Sequence, residues 1–403
     1  MGVKPFDAHR MRERMAAVQR SIIENGRAAG NAVMIGDHNG ILVESYAGLA
    51  NIKTGRQIGK DTLYHLYSMT KPVTVIAAMQ LIERGLIRLD DALAEYLPEY
   101  KNMTVLRDGR EVPTRNEIRI LNLFTMTSGL SYLLEDVDGS RETFLNSWRA
   151  SLEADKPWGT VDFARKLASL PLSFEPGERF MYGLSHDVLG ALVEVVSGQT
   201  LEAYCRKNIF DPLGMSDTCW VQSLPKEKEP LLADCCERVD GQWARQALLG
   251  RPIPICPDIS DPLMYSGGGG LIGSADDYSK LLCAMTGGGR LGDARILSEA
   301  SVQKMASPQL CGDVRATYNT FGPDQASFGP GLTYGLGFRV LAEPAAGDPG
   351  KPGEWGWSGA LGTWFFIDPA DGLWLLYLHQ HIPAEHGTFV PGLRAVFYEA
   401  LQG

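Results

Sequence analysis

The most informative segment of the chain reads His65-Leu-Tyr-Ser68-Met-Thr-Lys71-Pro72-Val-Thr-Val-Ile-Ala-Ala-Met-Gln-Leu-Ile82. Pro72 suits the first turn of a helix, where its missing N–H costs no hydrogen bond, and the apolar residues after it keep helical spacing. We therefore predict that Ser68 stands at a helix start, with Lys71 three residues later on the same face. A serine hydroxyl is a poor nucleophile until a base takes its proton, and a desolvated lysine can be that base. The segment predicts a nucleophilic serine beside helix N-terminal N–H groups that favour an oxyanion.

Ser-x-x-Lys alone also fits an N-capping serine beside an exposed lysine, so the prediction of a nucleophile depends on two more segments. One places Tyr182 before a predicted helix that Ser185 caps and that closes near Gly198, and it reads Phe174-Glu-Pro-Gly-Glu-Arg-Phe-Met-Tyr182-Gly-Leu-Ser185. A tyrosine there could equally anchor a loop through its hydroxyl. The other lies at a predicted strand edge, whose backbone N–H groups could face a substrate carbonyl, and it reads Trp355-Gly-Trp357-Ser-Gly359-Ala360.

The wider pattern predicts strands near both ends of the chain. An amphipathic helix over 6–27 precedes a hairpin whose turn carries Asn39-Gly40, a strong short-range hairpin signal. Residues 68–310 are mostly helical in pattern, and strand-length aromatic and aliphatic runs follow from 334 to 378. A last helix is predicted over 390–401.

This order of elements predicts two domains. Residues 1–90 plus 320–403 would form an α/β sheet domain, and residues 91–319 an inserted, mostly helical domain. Active sites favour such junctions, so we expect the site between the two domains.

The three segments, in this order, resemble the serine β-lactamase and penicillin-binding superfamily, whose signature begins with Ser-x-x-Lys. The closest likeness is to the family VIII carboxylesterases, which share the class C β-lactamase fold. Supporting pieces over nearly the whole chain are Ile118 to Leu130, Asp211 to Thr218 and Ser266 to Ser274. The resemblance implies an α/β (α+β) fold of β-lactamase type, with an antiparallel sheet built from both chain termini.

By that resemblance, Ser68 is the acylated nucleophile, Lys71 takes or steers its proton, and Tyr182 is the general base. The oxyanion hole would be the backbone N–H groups of Ser68 and Ala360. A tyrosine beside a lysine cation gives up its proton more readily, which agrees with this role. The substrate contacts that the resemblance implies are Leu184, Trp357, Ser358 and Gly359.

Two departures from the family pattern bear on the substrate. Leu184 stands where β-lactamases have the asparagine of Tyr-x-Asn, and Trp357-Ser358-Gly359 stands where they have Lys-Thr-Gly. The cation that would hold a carboxylate is therefore missing, which favours neutral acyl substrates. Trp355, Trp357 and Trp364 would supply an apolar pocket.

The predicted function is a serine hydrolase that cleaves carboxylic esters of short to medium acyl chains, with no metal and no organic cofactor. One alternative keeps the site and passes the acyl group to an alcohol, as an acyltransferase or transesterase. Weak β-lactamase or D-amino-acid peptidase activity is another, and a non-catalytic binding protein on the same scaffold is a third.

A different nucleophile is also conceivable, since Gly356-Trp-Ser358-Gly-Ala360 approaches the Gly-x-Ser-x-Gly elbow of α/β-hydrolases. That mechanism would use Ser358 with an acid and a histidine that follow it. It is less favoured because that fold needs several βαβ units before the elbow. The candidate acids are Asp368 and Asp371, and the candidate histidines are His379, His381 and His386.

Other polar residues near these motifs have ordinary explanations. His379 and His381 could suggest a metal pair, but polar residues at a strand end explain them better. We expect His65 to be a packing or hydrogen-bonding residue. Residues 312–333 suit a loop over the site mouth or an ordinary surface loop equally well.

The charge composition of the chain limits which classes of partner it can bind. With 38 Lys plus Arg against 48 Asp plus Glu, the 403-residue chain has a formal net charge of −10, which repels phosphate backbones and anionic lipid. We expect a small-molecule ester as substrate, and no nucleic-acid or membrane partner. The first residues lack the apolar segment of a secretory signal, and the seven scattered cysteines contain no CxxC pair. These features predict reduced thiols and a cytoplasmic location.

Overall fold

The structure, a computed structural model, describes residues 6–108, 110–132, 159–245, 263–318 and 331–402. Its strands are β1 (Gly30–Gly36), β2 (Ile41–Gly48), β3 (Leu63–His65), β4 (Thr104–Arg107), β5 (Arg110–Pro113), β6 (Cys219–Trp220), β7 (Cys236–Val239), β8 (Gln242–Arg245), β9 (Leu271–Ser274), β10 (Arg290–Leu291), β11 (Ala294–Arg295), β12 (Leu332–Tyr334), β13 (Arg339–Leu341), β14 (Trp355–Ser358), β15 (Trp364–Asp368) and β16 (Leu373–His379). Its helices are α1 (Ala8–Glu24), α2 (Thr70–Glu83), α3 (Ile120–Phe124), α4 (Thr160–Leu167), α5 (Ser185–Ser197), α6 (Leu201–Cys205), α7 (Asp211–Leu213), α8 (Ala275–Thr286), α9 (Glu299–Met305), α10 (Gly312–Tyr318) and α11 (His386–Gln402), with one π-helical turn at Arg206–Phe210.

The main sheet has seven strands in the order β12-β13-β14-β15-β16-β1-β2, and every neighbouring pair is antiparallel. All seven residues of β1 are buried. Because successive side chains of a strand point to opposite faces, both faces of the sheet are covered there. Helix α1 packs on β2 and α11, while α8 packs on β1 and β16. The predicted antiparallel sheet drawn from distant parts of the chain is confirmed.

The first hairpin shows why local sequence determines this part of the sheet. The Asp37 N–H donates to the Gly40 carbonyl at 3.0 Å, and Asp37 Oδ1 accepts the Asn39 N–H at 2.7 Å. Gly40 has φ +154, which a residue with a side chain adopts at a cost. The predicted turn at Asn39-Gly40 is therefore confirmed, and it fixes the register of β1 and β2.

Helices α2 and α5 form the centre of the helical region and pack against each other. Twelve of the fourteen residues of α2 are buried, so this helix is enclosed on all sides. Helix α5 ends at Gly198 with φ +68, as predicted. Its predicted cap is wrong: Ser185 is already helical, and its Oγ pairs with the buried Ser128 Oγ at 2.8 Å.

A small antiparallel sheet in the order β3-β9-β6 joins the main sheet to the helical region. Strand β3 leads directly into the segment of Ser68, and β9 follows the glycine run 267–270. The Leu66 N–H donates to the Leu271 carbonyl at 2.9 Å. This sheet therefore brings two distant segments to one place.

Two helices pack across the predicted domain boundaries, which stay a prediction. Helix α8 falls within the predicted insertion 91–319, yet it packs on β1 and β16, because its buried face completes the cover of the sheet. Helix α2 falls within the predicted sheet domain, yet it packs on α5. In the part of the chain described above, no helix is both long enough and apolar enough to cross a bilayer.

Candidate active site

Ser68 lies in a single 3₁₀ turn, Tyr67–Met69, that runs into α2. Tyr67 adopts φ +45, a left-handed conformation that is uncommon for a residue with a side chain. The turn is held in place because the Tyr278 hydroxyl donates to the Met69 carbonyl at 3.0 Å. The serine side chain is half-buried, so it remains open to a substrate. Ser68 therefore stands at a helix start, as predicted.

Lys71 lies in the first turn of α2 and is fully buried. Its Nζ donates to Ser68 Oγ at 3.1 Å, to the Tyr132 hydroxyl at 3.1 Å and to the Gly268 carbonyl at 2.7 Å. A lysine ammonium carries three N–H donors, and these acceptors account for all three. The arrangement suits a cation that holds the serine oxygen and leaves another group to take the serine proton.

Two tyrosines stand beside this lysine. The ring centroid of Tyr182 is 4.6 Å from Lys71 Nζ, and the ring of Tyr132 meets that of Tyr182 edge-on with centroids 5.5 Å apart. The structure thus brings together three predicted residues, Ser68, Lys71 and Tyr182. Sequence reasoning missed Tyr132, although it comes two residues after the Thr127-Ser128-Gly129-Leu130 turn on which the resemblance partly rested.

Tyr182→Phe is expected to lower kcat for ester hydrolysis by about 10²–10⁴-fold, the range of a general base. Tyr132→Phe is the matched control, because it also removes one hydroxyl beside Lys71 while leaving the proposed base in place. We expect a smaller loss for Tyr132→Phe. Initial rates with p-nitrophenyl butyrate measure both. Nearly full activity in Tyr182→Phe, or a larger loss in Tyr132→Phe, would contradict the base assignment.

The loop between β14 and β15 is held against the segment that carries the serine. A Cβ added to Gly359 would lie 2.3 Å from the Leu66 carbonyl oxygen, so only glycine fits here. Thr363 Oγ1 donates to that same oxygen at 3.3 Å, and the Gly359 N–H donates to the Thr363 carbonyl at 2.7 Å. Ala360 is exposed at the tip of this loop. The oxyanion hole of Ser68 and Ala360 N–H groups stays a prediction that this packing supports.

An aromatic wall continues from Tyr182 into the sheet. The ring of Trp357 is 5.6 Å from that of Tyr182 and 5.3 Å from that of Tyr334. Tyr334 in turn lies 5.1 Å from Phe180 and 5.7 Å from Tyr318. Much of the predicted mouth loop, residues 319–330, falls outside the described residues. Trp357 therefore links Tyr182 to a largely buried apolar cluster.

Other residues predicted to bind substrate lie elsewhere. Leu184 is fully buried in the hydrophobic core, so its predicted substrate contact is withdrawn. The reason is the tight packing of its neighbour, since a Cβ on Gly183 would lie 2.1 Å from the Leu130 carbonyl oxygen. Trp355 packs on Phe338, and Trp364 on Phe366, rather than on the wall. Ser358 and Gly359 stay predictions.

His379 and His65, two histidines considered above, are held by hydrogen bonds within the fold. His379 is fully buried with Nδ1 3.0 Å from the Tyr377 hydroxyl, and burial lowers its pKa well below the usual value. His65 is held through its backbone by the Gln380 side chain, and burial lowers its pKa to about 4.

Because the main sheet is antiparallel, the Ser358 elbow of an α/β-hydrolase is excluded. Among the residues described here, no cluster of three or more His, Cys, Asp or Glu could hold a metal ion.

Comparison with known proteins matches residues 8–388 to the family described as Beta-lactamase. The chain belongs to the Beta-lactamase family. This family member is 33% identical to Esterase EstB from Burkholderia gladioli over 382 residues, which is 93% of this chain and 91% of EstB. It is also 33% identical to Protein Rv1367c from Mycobacterium tuberculosis over 374 residues, 90% of this chain and 88% of that protein.

The solved structure of EstCE1, "a hydrolase with promiscuous acyltransferase activity", is similar to this family member. The TM-score is 0.79 at 25% identity, covering 97% of this chain and 99% of that one. The predicted fold and the resemblance to family VIII esterases of the Beta-lactamase family are confirmed. The predicted enzyme class, an esterase among the serine hydrolases, is confirmed at the level of ester hydrolysis in general.

Proposed function

We propose that the protein hydrolyses small-molecule carboxylic esters of short to medium acyl chains through an acyl-enzyme on Ser68. Ser68 Oγ attacks the ester carbonyl carbon as its proton passes to the phenolate oxygen of Tyr182. The negative charge that develops on the carbonyl oxygen is held by the N–H groups of Ser68 and Ala360. The tetrahedral intermediate collapses, and the alkoxide leaves with the proton from Tyr182. Water then attacks the acyl-serine and gives a proton to Tyr182, which passes it to Ser68 Oγ as the acyl–oxygen bond breaks and the acid leaves.

The observation that most supports this proposal is the contact of the fully buried Lys71 ammonium with Ser68 Oγ at 3.1 Å. A buried lysine aimed at a half-exposed serine is costly for stability, since burial of a charge requires compensation. An N-capping serine with a solvent-exposed lysine would carry no such cost. The geometry therefore supports a catalytic pair.

The test is to trap the acyl-enzyme. The protein is mixed with p-nitrophenyl butyrate, quenched in acid within the first turnovers and analysed by intact-mass and peptide mass spectrometry. The expected result is a butyryl adduct on the peptide that contains Ser68. An adduct elsewhere would contradict the assignment, and hydrolysis without any adduct would contradict a covalent mechanism. The absence of both an adduct and hydrolysis would favour the binding-protein alternative.

The aromatic wall supports a preference for neutral, apolar acyl groups, because Trp357 stands where a carboxylate-binding lysine would be. Trp357→Lys is expected to shift the ratio of kcat/KM for a neutral butyrate ester over a carboxylate-bearing ester by about tenfold or more toward the latter. Trp357→Phe is the control, since it keeps an apolar ring and adds no charge. The ratio is measured with the two substrates in parallel. An unchanged ratio in Trp357→Lys would refute the pocket assignment.

Acyl transfer is the second candidate, and the likeness to EstCE1 favours it. An acyl-enzyme partitions between water and any alcohol that reaches it. Incubation with vinyl butyrate and an added alcohol, with both products quantified, separates the two reactions. Ester formation at alcohol concentrations far below that of water would make transfer the main activity, and butyrate alone would leave hydrolysis.

A further inference from the structure

Within the described parts of the chain, the hydrogen-bond partners of the buried Lys71 ammonium are neutral groups: a serine hydroxyl, a tyrosine hydroxyl and the Gly268 carbonyl. An ammonium that is removed from water needs a negative charge nearby, or its charged form is strongly disfavoured. The helix that packs on α2 supplies a candidate, because α5 carries Asp187 in its first turn. Asp187 is 1% exposed.

Asp187 and Lys71 are joined through one residue. Asp187 Oδ1 accepts the Gly268 N–H at 3.1 Å, and the Gly268 carbonyl accepts from Lys71 Nζ at 2.7 Å. Ser266 Oγ also donates to Asp187 Oδ1, at 2.6 Å. A Cβ on Gly268 would lie 2.5 Å from Asp187 Oδ2, so the carboxylate and the glycine backbone are in close contact.

The neighbouring loop is fixed from the α2 side as well. The Thr74 hydroxyl donates to the Gly267 carbonyl at 2.8 Å, and a Cβ on Gly267 would lie 2.3 Å from the His186 carbonyl oxygen. The glycine run is thus clamped between α2 and α5, and the direction of the Gly268 carbonyl is set by Asp187.

The positive charge of Lys71 also acts on the two titratable residues at the start of α5. Burial raises the pKa of Asp187, and the positive charge of Lys71 opposes that rise. Burial, together with the same positive charge, lowers the pKa of His186 to about 3. His186 is therefore neutral at ordinary pH, and Asp187 is the acidic side chain that acts on Lys71 from this helix.

We propose that Asp187 is a positioning residue for Lys71, which aims the Gly268 carbonyl at the ammonium and supplies the negative charge that offsets it. This inference rests on the proposed function, because Lys71 matters only if Ser68 is acylated. Asp187 touches no reacting atom; it acts through Gly268 and Lys71.

Asp187→Asn tests the charge, since the amide keeps the shape and an oxygen acceptor. Asp187→Ala removes both. Ser266→Ala removes the hydrogen bond that its hydroxyl donates to Asp187 and the one it accepts from the Gly268 N–H at 3.3 Å, while keeping the charge. The control is Asp277→Asn on α8, where an equally buried aspartate accepts the Asp217 N–H and the Thr218 hydroxyl. Two readouts are used across pH: the rate at which a fluorophosphonate labels Ser68, and kcat and KM for p-nitrophenyl butyrate.

In Asp187→Asn we expect the labelling rate and kcat to fall about a hundredfold, with KM nearly unchanged. We also expect the pH profile to move to lower pH, because the Lys71 cation has lost its counter-charge. His186, Tyr132 and Tyr182 also face Lys71, and they are the same in every variant. Ser266→Ala and Asp277→Asn should keep the wild-type pH profile. An unmoved profile in Asp187→Asn would overturn the proposal, as would equal losses in Asp187→Asn and Asp277→Asn.

Failure of the proposed function has a different signature. If the wild type is labelled at Ser68 but does not hydrolyse the ester, the reaction assignment fails while the labelling rates still decide the role of Asp187. If the wild type hydrolyses the ester and Asp187→Asn matches it at every pH, only the role of Asp187 fails.

Discussion

Ser68→Ala is expected to reduce ester hydrolysis by about 10⁴-fold or more, because the acyl-enzyme then has no oxygen on which to form. The substitution removes a half-buried hydroxyl and one acceptor of Lys71, so the fold should persist. Initial rates with p-nitrophenyl butyrate and a far-ultraviolet circular dichroism spectrum measure the two effects.

Ser358→Ala is the matched control for this result. Ser358 ends β14, a strand that contacts the turn of Ser68, and it is the nucleophile of the excluded elbow mechanism. It should retain hydrolysis within about tenfold of the wild type, since its predicted role is a substrate contact and the acyl-enzyme still forms on Ser68. Activity that survives in Ser68→Ala and disappears in Ser358→Ala would reverse the assignment of the nucleophile.

Glu354→Ala is expected to produce the largest loss of stability. Glu354 is fully buried and accepts hydrogen bonds from Arg394 Nη2 at 2.9 Å and from the Tyr398 hydroxyl at 2.9 Å. Arg339, also fully buried, has Nη2 3.9 Å from the same carboxylate. Removal of the carboxylate leaves two guanidinium groups without this counter-charge, which costs about 3–5 kcal/mol of the free energy of unfolding.

The measurement is the midpoint of thermal unfolding. Asp90→Ala is the comparison, because its partner Arg88 is 3.0 Å away but both side chains are exposed, and exposed pairs contribute little. The midpoint should fall markedly in Glu354→Ala and hardly change in Asp90→Ala. Equal midpoints in the two variants would show that Asp348, the other partner of Arg394, suffices by itself.

The contact between Ser68 and Lys71 could be predicted because its geometry is local. Ser68 and Lys71 are three residues apart at a helix start, and helical periodicity places them side by side whatever the rest of the chain does. Tyr132 and Asp187 could not be found in this way. Their contacts with the site depend on how α2 meets α5 and the glycine run, which is a matter of tertiary packing.

Two hairpins inside the helical region carried a local signal that the overall pattern obscured. Strands β4 and β5 flank Asp108-Gly109, and β7 and β8 flank Asp240-Gly241. Asp-Gly favours the tight turn of a hairpin, and the two aspartates adopt φ +50 and +49. The helical periodicity of the surrounding residues led to a mostly helical prediction between 68 and 310.

The order of strands in the main sheet has a consequence for biosynthesis. Strand β1 pairs with β16, so Asn31 stands opposite His379. A ribosome makes β1 long before β16, and until β16 is made one side of β1 has backbone N–H and C=O groups without their strand partner. The loop that carries Ala360 precedes β16, and its support in the sheet is complete only when β16 is in place. We therefore expect activity only after residue 379 has been translated. Folding must also close the long loop between β1 and β16, which slows it.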